Sequence, residues 1–144
     1  MARGASSLTE RPSGRHLCKF GPVALRVLIV DDIPEMRVTI RSRLRFSHKA
    51  EIVGEASTGA EAIMMSRELR PDAVVLDLML PDIRERNLCE MVRHASPESR
   101  VIVFTAYESD KAWYRERGVQ VLPKEDMDGM VRAVLGEEPS EAAF

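Results

Sequence analysis

Residues 25–32, LRVLIVDD, combine a nearly continuous apolar run with two aspartates at its end. A run rich in Val, Ile and Leu without polar alternation is typical of a strand that is covered on both faces, as in a parallel sheet. Four more runs of this kind follow along the chain: 51-EIVGEA-56, 73-AVVLDL-78, 101-VIVFTA-106 and 119-VQVLP-123. The sequence therefore predicts five buried strands.

The segments that follow these strands have the apolar period of helices. Thr58 and Glu61 are spaced as a capping box at the start of the second helical segment. Gly136 follows the last apolar residue of the fifth segment and suits a helix C-cap. Because alternating strands and helices imply right-handed crossovers and a parallel sheet, we predict an α/β fold. It is a single domain with a five-stranded parallel sheet, doubly wound in the flavodoxin-like manner.

Length and composition exclude several classes of protein. The chain has 144 residues, of which 44% are hydrophobic, enough for one packed domain. Its formal net charge of −2 gives no general attraction to nucleic acid or to an anionic membrane, so no direct DNA binding is expected. The apolar runs are far too short to span a membrane. Two cysteines are too few for a disulfide scaffold, and a cytoplasmic location is expected.

The two ends of the chain differ from its centre. Residues 1–22 hold four basic residues against one acidic residue and have no helical or strand period, which predicts a disordered basic tail. A leader without function, an organellar transit peptide and a start codon assigned too early all stay open for this segment. We assign residues 23–136 to the folded domain and residues 137–144 to a flexible acidic tail.

Polar side chains lie where the predicted strands end. Asp31 and Asp32 follow the first strand, Asp77 lies near the end of the third, Thr105 ends the fourth, and Lys124 follows the fifth. In doubly wound sheets, ligands bind beyond the carboxyl ends of the strands. The sequence therefore predicts that three carboxylates, one hydroxyl and one ammonium group converge at one rim of the sheet.

This set of groups suits phosphoryl transfer. Crowded carboxylates repel one another unless a cation lies among them, and oxygen ligands favour Mg²⁺. Such an ion neutralises an incoming phosphoryl group and lets a carboxylate approach phosphorus. Lys124 adds a point charge for phosphate oxygens, and Thr105 adds a hydrogen bond. The predicted product is an aspartyl phosphate.

Each of these residues also has a purely structural explanation. Asp32 suits the N-cap of the following helix, Thr105 is an ordinary strand former, and Lys124 suits a solvated edge. Asp77 is harder to explain in this way, because it interrupts an apolar run and a buried unpaired carboxylate is costly.

In sequence, the chain resembles the receiver domains of bacterial two-component response regulators, and among them the NarL/LuxR subfamily. The matching stretches are 27-VLIVDD-32, 52-IVGEASTGAEA-62, 73-AVVLDLMLPD-82, 101-VIVFTA-106 and 121-VLPK-124. The resemblance implies the CheY-like form of the doubly wound fold. It also implies that Asp77 is the phosphoacceptor. Mg²⁺ would be bound by Asp31, Asp32 and Asp77, together with the main-chain carbonyl of Met79.

The resemblance also assigns the residues that respond to the phosphoryl group. Thr105 would be the switch hydroxyl, Ala106 the small residue beside it, and Lys124 the lysine that binds phosphate. A histidine kinase or phosphotransfer protein would donate the phosphoryl group. The phosphorylated chain would then bind an unknown downstream protein, or a second copy of itself, through the face of helix 4, strand 5 and helix 5. It would act as a stand-alone switch whose only chemistry is its own phosphorylation and dephosphorylation.

Four features depart from the family pattern. Val121 stands where an aromatic switch residue is expected, and Pro123 precedes Lys124 where proline usually follows the lysine. Glu85 stands where the family has glycine. Nineteen positions separate Thr105 from Lys124, fewer than usual, which predicts a trimmed fourth helix or loop. These departures suggest that phosphorylation is intact and that its relay to the outer surface is altered.

Two other functions compete with the switch. A degenerate receiver, or the remnant of a longer DNA-binding regulator, would act as an interaction module without phosphorylation. Val121 and the short fourth helical region favour this alternative, whereas the complete set of rim residues opposes it. An aspartate-dependent phosphatase of the haloacid dehalogenase type would need a second aspartate at the position of Met79, and the chain lacks it.

Overall fold

The computed structural model describes residues 17–18, 21–22, 24–106 and 110–137. The strands of the main sheet are β1 (Leu25–Val30), β2 (Ala50–Ala56), β3 (Ala73–Leu76), β4 (Arg100–Thr105) and β5 (Gln120–Pro123). The helices are α1 (Pro34–Phe46), α2 (Gly59–Leu69), α3 (Glu85–Ala95), α4 (Lys111–Arg115) and α5 (Met127–Leu135).

All neighbouring strands of the main sheet are parallel, in the order β2-β1-β3-β4-β5. The chain winds outward in one direction from β1 to β2 and in the other from β1 through β3 to β5. The reversal of winding beside β1 opens a crevice at the carboxyl ends of β1 and β3. The predicted five-stranded, doubly wound α/β fold is confirmed.

The two faces of the sheet are covered by different helices. Leu28 and Val30 of β1 belong to a buried cluster that includes residues of α2, α3 and α4. Val27 and Ile29 belong to a second cluster, which includes residues of α1 and α5. Burial on both faces explains why the central strands β1, β3 and β4 are mostly apolar rather than alternating.

Two predicted helix ends are confirmed. The Thr58 side chain caps α2 by accepting a hydrogen bond from the Glu61 N–H at 3.1 Å. Gly136 ends α5 with φ of 73°, a conformation that favours glycine. The structural explanation for Asp32 is wrong, because Ile33 occupies the N-cap position of α1 and makes no side-chain cap.

The third strand ends earlier than expected. The sequence predicted a strand over 73–78, whereas β3 spans Ala73–Leu76 and its ladders to both neighbours stop at Leu76. The Asp77 N–H still donates to the Val30 carbonyl at 3.0 Å, so the backbone stays attached to β1 for one more residue. Asp77 therefore lies just beyond the strand end instead of inside the strand. The other strands differ from prediction by at most one residue at either end.

The short helix α4 is attached to α3 by charged and aromatic contacts. Two guanidinium groups lie over the Trp113 ring, with Arg86 Cζ 5.0 Å and Arg117 Cζ 3.9 Å from its centroid. Arg86 pairs with Asp110 at 2.9 Å, and Arg117 pairs with Glu90 at 3.3 Å. With five residues, α4 agrees with the short segment expected between Thr105 and Lys124. These contacts connect α4 and the residues on either side of it to α3.

Little of the predicted tails is described. Leu17–Cys18 and Gly21–Pro22 form a short antiparallel pair within the segment predicted to be a basic tail. The rest of residues 1–20, together with residue 23 and residues 138–144, lies outside the described residues. Among the described residues, no helix has both the length and the apolar character needed to cross a membrane.

Candidate functional site at the carboxyl ends of the strands

The sheet brings the predicted rim residues together. Asp31 follows β1, Asp77 follows β3, Thr105 ends β4 and Lys124 follows β5, on four successive strands. Asp31, Asp77 and Thr105 are only 1%, 4% and 3% exposed, whereas Asp32 is exposed. The site thus has a buried floor of two carboxylates and a hydroxyl, with a third carboxylate at its solvent edge.

Hydrogen bonds connect the floor of the site. Thr105 Oγ1 donates to Asp77 Oδ1 at 3.0 Å. Lys124 Nζ donates to Asp31 Oδ2 at 2.6 Å and lies 3.4 Å from Asp77 Oδ2. The Lys124 side chain is 12% exposed, so its explanation as a solvated edge residue is wrong. Pro123 does not turn the ammonium group away from the carboxylates.

Local backbone bonds orient both buried carboxylates. Asp31 Oδ1 accepts from the Ile33 N–H at 2.9 Å, and Asp77 Oδ1 accepts from the Met79 N–H at 3.1 Å. In each case the aspartate binds the backbone two residues further on, a turn that aspartate readily forms. The second oxygen of each carboxylate then points to the shared space near Lys124.

The electrostatics of the site leave it short of positive charge. Burial is the main reason that the pKa of Asp31 is raised, although the hydrogen bond from Lys124 works against this rise. The nearby carboxylate of Asp77 raises the same pKa further. Burial thus outweighs the Lys124 hydrogen bond in setting this pKa, and the three carboxylates of the cluster share that one ammonium group.

The carboxylates fit a hard divalent cation. Asp31, Asp32 and Asp77 each offer an oxygen atom, and these atoms lie within 4.8 Å of one another. Oxygen ligands on a partly open rim are the donor set that Mg²⁺ prefers, because this ion keeps several of its waters. Of the two further residues implied by the resemblance, Met79 has an exposed side chain and Ala106 is exposed beside Thr105.

Sequence reasoning missed two residues close to the site. Arg37 Nη1 donates to the main-chain carbonyl of Asp31 at 2.6 Å and pairs with Glu55 at 3.4 Å. Asp82, at the far end of the loop that follows β3, accepts two hydrogen bonds from the start of α2. The sequence signal for Asp82 is its place at the end of the matching stretch 73-AVVLDLMLPD-82, directly after Pro81.

Comparison with known proteins identifies the family. The model of the response regulator receiver domain family matches residues 27–132. The chain is 33% identical over 93 residues to the response regulator protein VraR of Staphylococcus epidermidis and of Staphylococcus aureus. Each match covers 65% of this chain and 44% of VraR, so the chain spans less than half the length of these relatives.

Solved structures agree in fold. The signal receiver domain of the response regulator NarL from Mycobacterium tuberculosis matches with a TM-score of 0.70 and 28% identity, covering 80% of this chain and 96% of that domain. The response regulator domain of Thermotoga maritima CheB matches with a TM-score of 0.67 and 20% identity, over 81% of this chain and 100% of that domain. At that identity the likeness to CheB concerns the fold alone.

Proposed function

The chain belongs to the response regulator receiver family, whose members serve phosphorelay signalling, and on this premise we propose that it accepts a phosphoryl group on Asp77. The proposal rests on the contacts that the Asp77 carboxylate makes. Asp77 is bonded by Thr105 at 3.0 Å, lies 3.4 Å from Lys124 Nζ, and shares a possible cation site with Asp31 and Asp32.

The reaction joins Asp77 to the phosphoryl group of a phosphohistidine. A carboxylate oxygen of Asp77 attacks phosphorus and forms a P–O bond, while the P–N bond breaks and its electron pair returns to the imidazole of the donor. Mg²⁺, held by Asp31, Asp32, Asp77 and the Met79 carbonyl, would supply positive charge for the phosphoryl oxygens. Lys124 Nζ and Thr105 Oγ1 already lie beside the Asp77 carboxylate, where they can bind the same oxygens.

The partners follow from this role. The donor is a histidine kinase or a phosphotransfer protein. We assign the downstream partner, or a second copy of the chain, to the face of α4, β5 and α5. A groove of about 410 Å³ lies there, lined by residues of α4 and β5 that include Lys111, Arg115, Val121 and Leu122. We also assign the receiver to residues 23–136, with residues 1–22 and 137–144 as flanking tails.

The second candidate is an interaction module that works without phosphorylation. Val121, which lies in β5 opposite Val103, favours it because the family relay uses an aromatic side chain at this position. The two functions differ in one observable property, which is whether Asp77 becomes phosphorylated.

Chemical mapping of the modified residue tests the main proposal. The protein is incubated with acetyl phosphate and Mg²⁺, and borohydride then reduces any aspartyl phosphate to homoserine, which peptide mass mapping locates. We expect homoserine at position 77 alone. Homoserine at another aspartate would place the acceptor elsewhere, and the absence of homoserine would refute Asp77 as the acceptor and favour the interaction module.

We expect Lys124→Ala to separate phosphorylation from the response of the rim. The variant retains Asp77 and all three carboxylates, so it should still accept phosphate, but no ammonium group would draw β5 toward the new charge. Hydrogen exchange of residues 100–106 and 120–124, with and without beryllofluoride and Mg²⁺, measures the response. It should change in the wild type and in Lys111→Ala, the control on α4, and stay unchanged in Lys124→Ala. An equal response in Lys124→Ala would contradict this role.

We expect the signal that reaches α4 to be weak. Val121 is small and stiff at χ1, so it cannot move through the volume of a switch aromatic. A modification shifts an equilibrium only by its differential free energy for the two states, so phosphorylation should change dimerisation or partner affinity about tenfold or less, about 1.4 kcal/mol. The corresponding measurement is the change in hydrogen exchange of residues 110–118 upon binding beryllofluoride.

An aromatic substitution provides the matched comparison for this prediction. Val121→Tyr should enlarge the response of residues 110–118, since the groove beside Val121 has room for a ring. Glu51→Tyr, at an exposed position of β2 on the opposite edge of the sheet, should leave it as in the wild type. A large change in hydrogen exchange of α4 in the wild-type protein upon binding beryllofluoride would show that the relay works without an aromatic ring.

A further inference from the structure

The loop from Asp77 to Arg84 is anchored at its far end to another element. The carboxylate of Asp82 accepts hydrogen bonds from the N–H groups of Gly59 at 2.8 Å and Ala60 at 3.0 Å. These are the first two residues of α2, whose N–H groups have no partner within the helix. One side chain of the loop thus satisfies two backbone donors of a helix that precedes it by more than twenty residues.

Asp82 satisfies two N–H groups that the local cap of the helix does not serve, and it does so from another element. The helix already has a local cap, because Thr58 Oγ1 accepts from the Glu61 N–H at 3.1 Å. In addition, Glu61 Oε1 accepts from the N–H of Ser57, the residue before the N-cap, at 2.9 Å. Asp82 therefore links the loop after β3 to the start of α2, a helix end that Thr58 also caps.

Gly59 makes the same connection sterically tight. A Cβ atom at this position would lie 2.7 Å from Cδ1 and 2.8 Å from Cγ1 of Ile83, closer than real Cβ contacts. The residue after Asp82 is therefore packed directly on the first residue of α2. Polar and apolar contacts fix the loop at the same place.

The near end of the loop is fixed at the phosphoacceptor. Leu78 is buried, and Asp77 is held by its N–H bond to the Val30 carbonyl and by the bond that its carboxylate accepts from the Met79 N–H. Only Leu80 and Pro81 separate Met79 from Asp82. The direction of the Met79 main chain therefore depends on both anchors, while its side chain is 52% exposed and contributes little packing.

We propose that Asp82 is a positioning residue of the phosphorylation site. By binding the start of α2, it holds the loop so that the main-chain carbonyl of Met79 is directed toward the cation site. This inference rests on the proposed function, because it requires that the carbonyl bind Mg²⁺. Asp82 itself is exposed and lies outside the cluster formed by Asp31, Asp32 and Asp77.

Mg²⁺ binding to the full chain, measured by calorimetric titration, tests the inference. Asp82→Ala should weaken Mg²⁺ binding about tenfold, the effect of losing a residue that orients a metal ligand. Gly59→Ala should weaken it through the same loop, by displacing Ile83. If both act through one contact, the double variant should lose less than the product of the two single effects.

Thr58→Ala is the matched control. The substitution removes a cap from the same helix end. Among the hydrogen bonds described above, Thr58 makes none to the loop, so Mg²⁺ affinity should stay within about twofold of the wild type. As a kinetic readout, Asp82→Ala should need about tenfold more Mg²⁺ for half-maximal phosphorylation by acetyl phosphate and reach the same maximal rate. A merely destabilised fold would not produce this pattern.

The outcomes distinguish this inference from the function on which it rests. If the wild type binds Mg²⁺ and Asp82→Ala binds it equally well, the positioning role is refuted and the proposed function stands. If Thr58→Ala loses as much affinity as Asp82→Ala, the effect belongs to the stability of α2, and the inference is again refuted. If the wild type binds no Mg²⁺, the proposed function fails and this inference fails with it.

Discussion

Replacing Asp77 with alanine is expected to abolish phosphorylation by acetyl phosphate completely. Asp77 is the carboxylate that Thr105 and Lys124 both contact, and it directly follows β3, the strand between β1 and β4. Asp31 is already engaged by Lys124 at 2.6 Å, and the exposed Asp32 has no comparable set of contacts among the described residues. No other carboxylate of the site is therefore equipped to replace Asp77. Phosphate-affinity gel electrophoresis measures the modified fraction.

The fold of this variant should persist. The substitution removes hydrogen bonds to Thr105 and Met79, but it also removes a buried carboxylate that raises the pKa of Asp31. Because these effects oppose each other, we expect little net change in the free energy of unfolding, which denaturant titration checks. Asp128→Ala, at an exposed carboxylate on α5, is the control and should be phosphorylated like the wild type. Undiminished phosphorylation of Asp77→Ala would place the acceptor elsewhere.

The second large effect concerns the cation. Asp32→Ala should lower Mg²⁺ affinity on the order of a hundredfold or more, because it removes a direct ligand rather than a residue that orients one. A ligand that binds only the folded chain stabilises it by RT ln(1 + [L]/Kd), about 2.7 kcal/mol at a concentration of 100 Kd. Mg²⁺ at that concentration should therefore raise the free energy of unfolding of the wild type and have almost no effect on Asp32→Ala.

Glu125→Ala separates ligation from general electrostatics. Glu125 is an exposed carboxylate next to Lys124 at the same rim, so this substitution makes the same change in formal charge. Its Mg²⁺ affinity should stay within about twofold of the wild type, since screening weakens exposed charges that do not touch the ion. Mg²⁺ should therefore still raise its free energy of unfolding. Equal losses of Mg²⁺ affinity in both variants would indicate that Asp32 acts through its charge alone and not as a ligand. An unchanged Mg²⁺ affinity in Asp32→Ala would remove Asp32 from the site.

The fold was predictable because its signals are local. A strand buried on both faces is apolar along most of its length, and β1 and β4 show this in their sequences apart from Arg26, Arg100 and Thr105. Parallel strands also end at one edge of the sheet. The order of the strands therefore predicts that the residues following them lie close together. Asp31, Asp77, Thr105 and Lys124 were predicted in this way, and their side chains are in contact.

What sequence reasoning missed depends on contacts between distant segments. No local pattern indicates that Asp82 binds Gly59 and Ala60, because that contact requires the packing of the β3–α3 loop against α2. The end of β3 at Leu76 is likewise decided by the partner strands rather than by the apolar run that continues to Leu78. The direction of the Lys124 side chain after Pro123 depends on the two carboxylates that it meets across the sheet.

The intact mass of the wild-type protein after incubation with acetyl phosphate, with Mg²⁺ or with excess EDTA, tests the central proposal most directly. We predict the addition of one phosphoryl group per chain when Mg²⁺ is present, and no addition when EDTA removes it. An unchanged mass in the presence of Mg²⁺, or the same addition in the presence of EDTA, would contradict a Mg²⁺-dependent phosphoacceptor at this site.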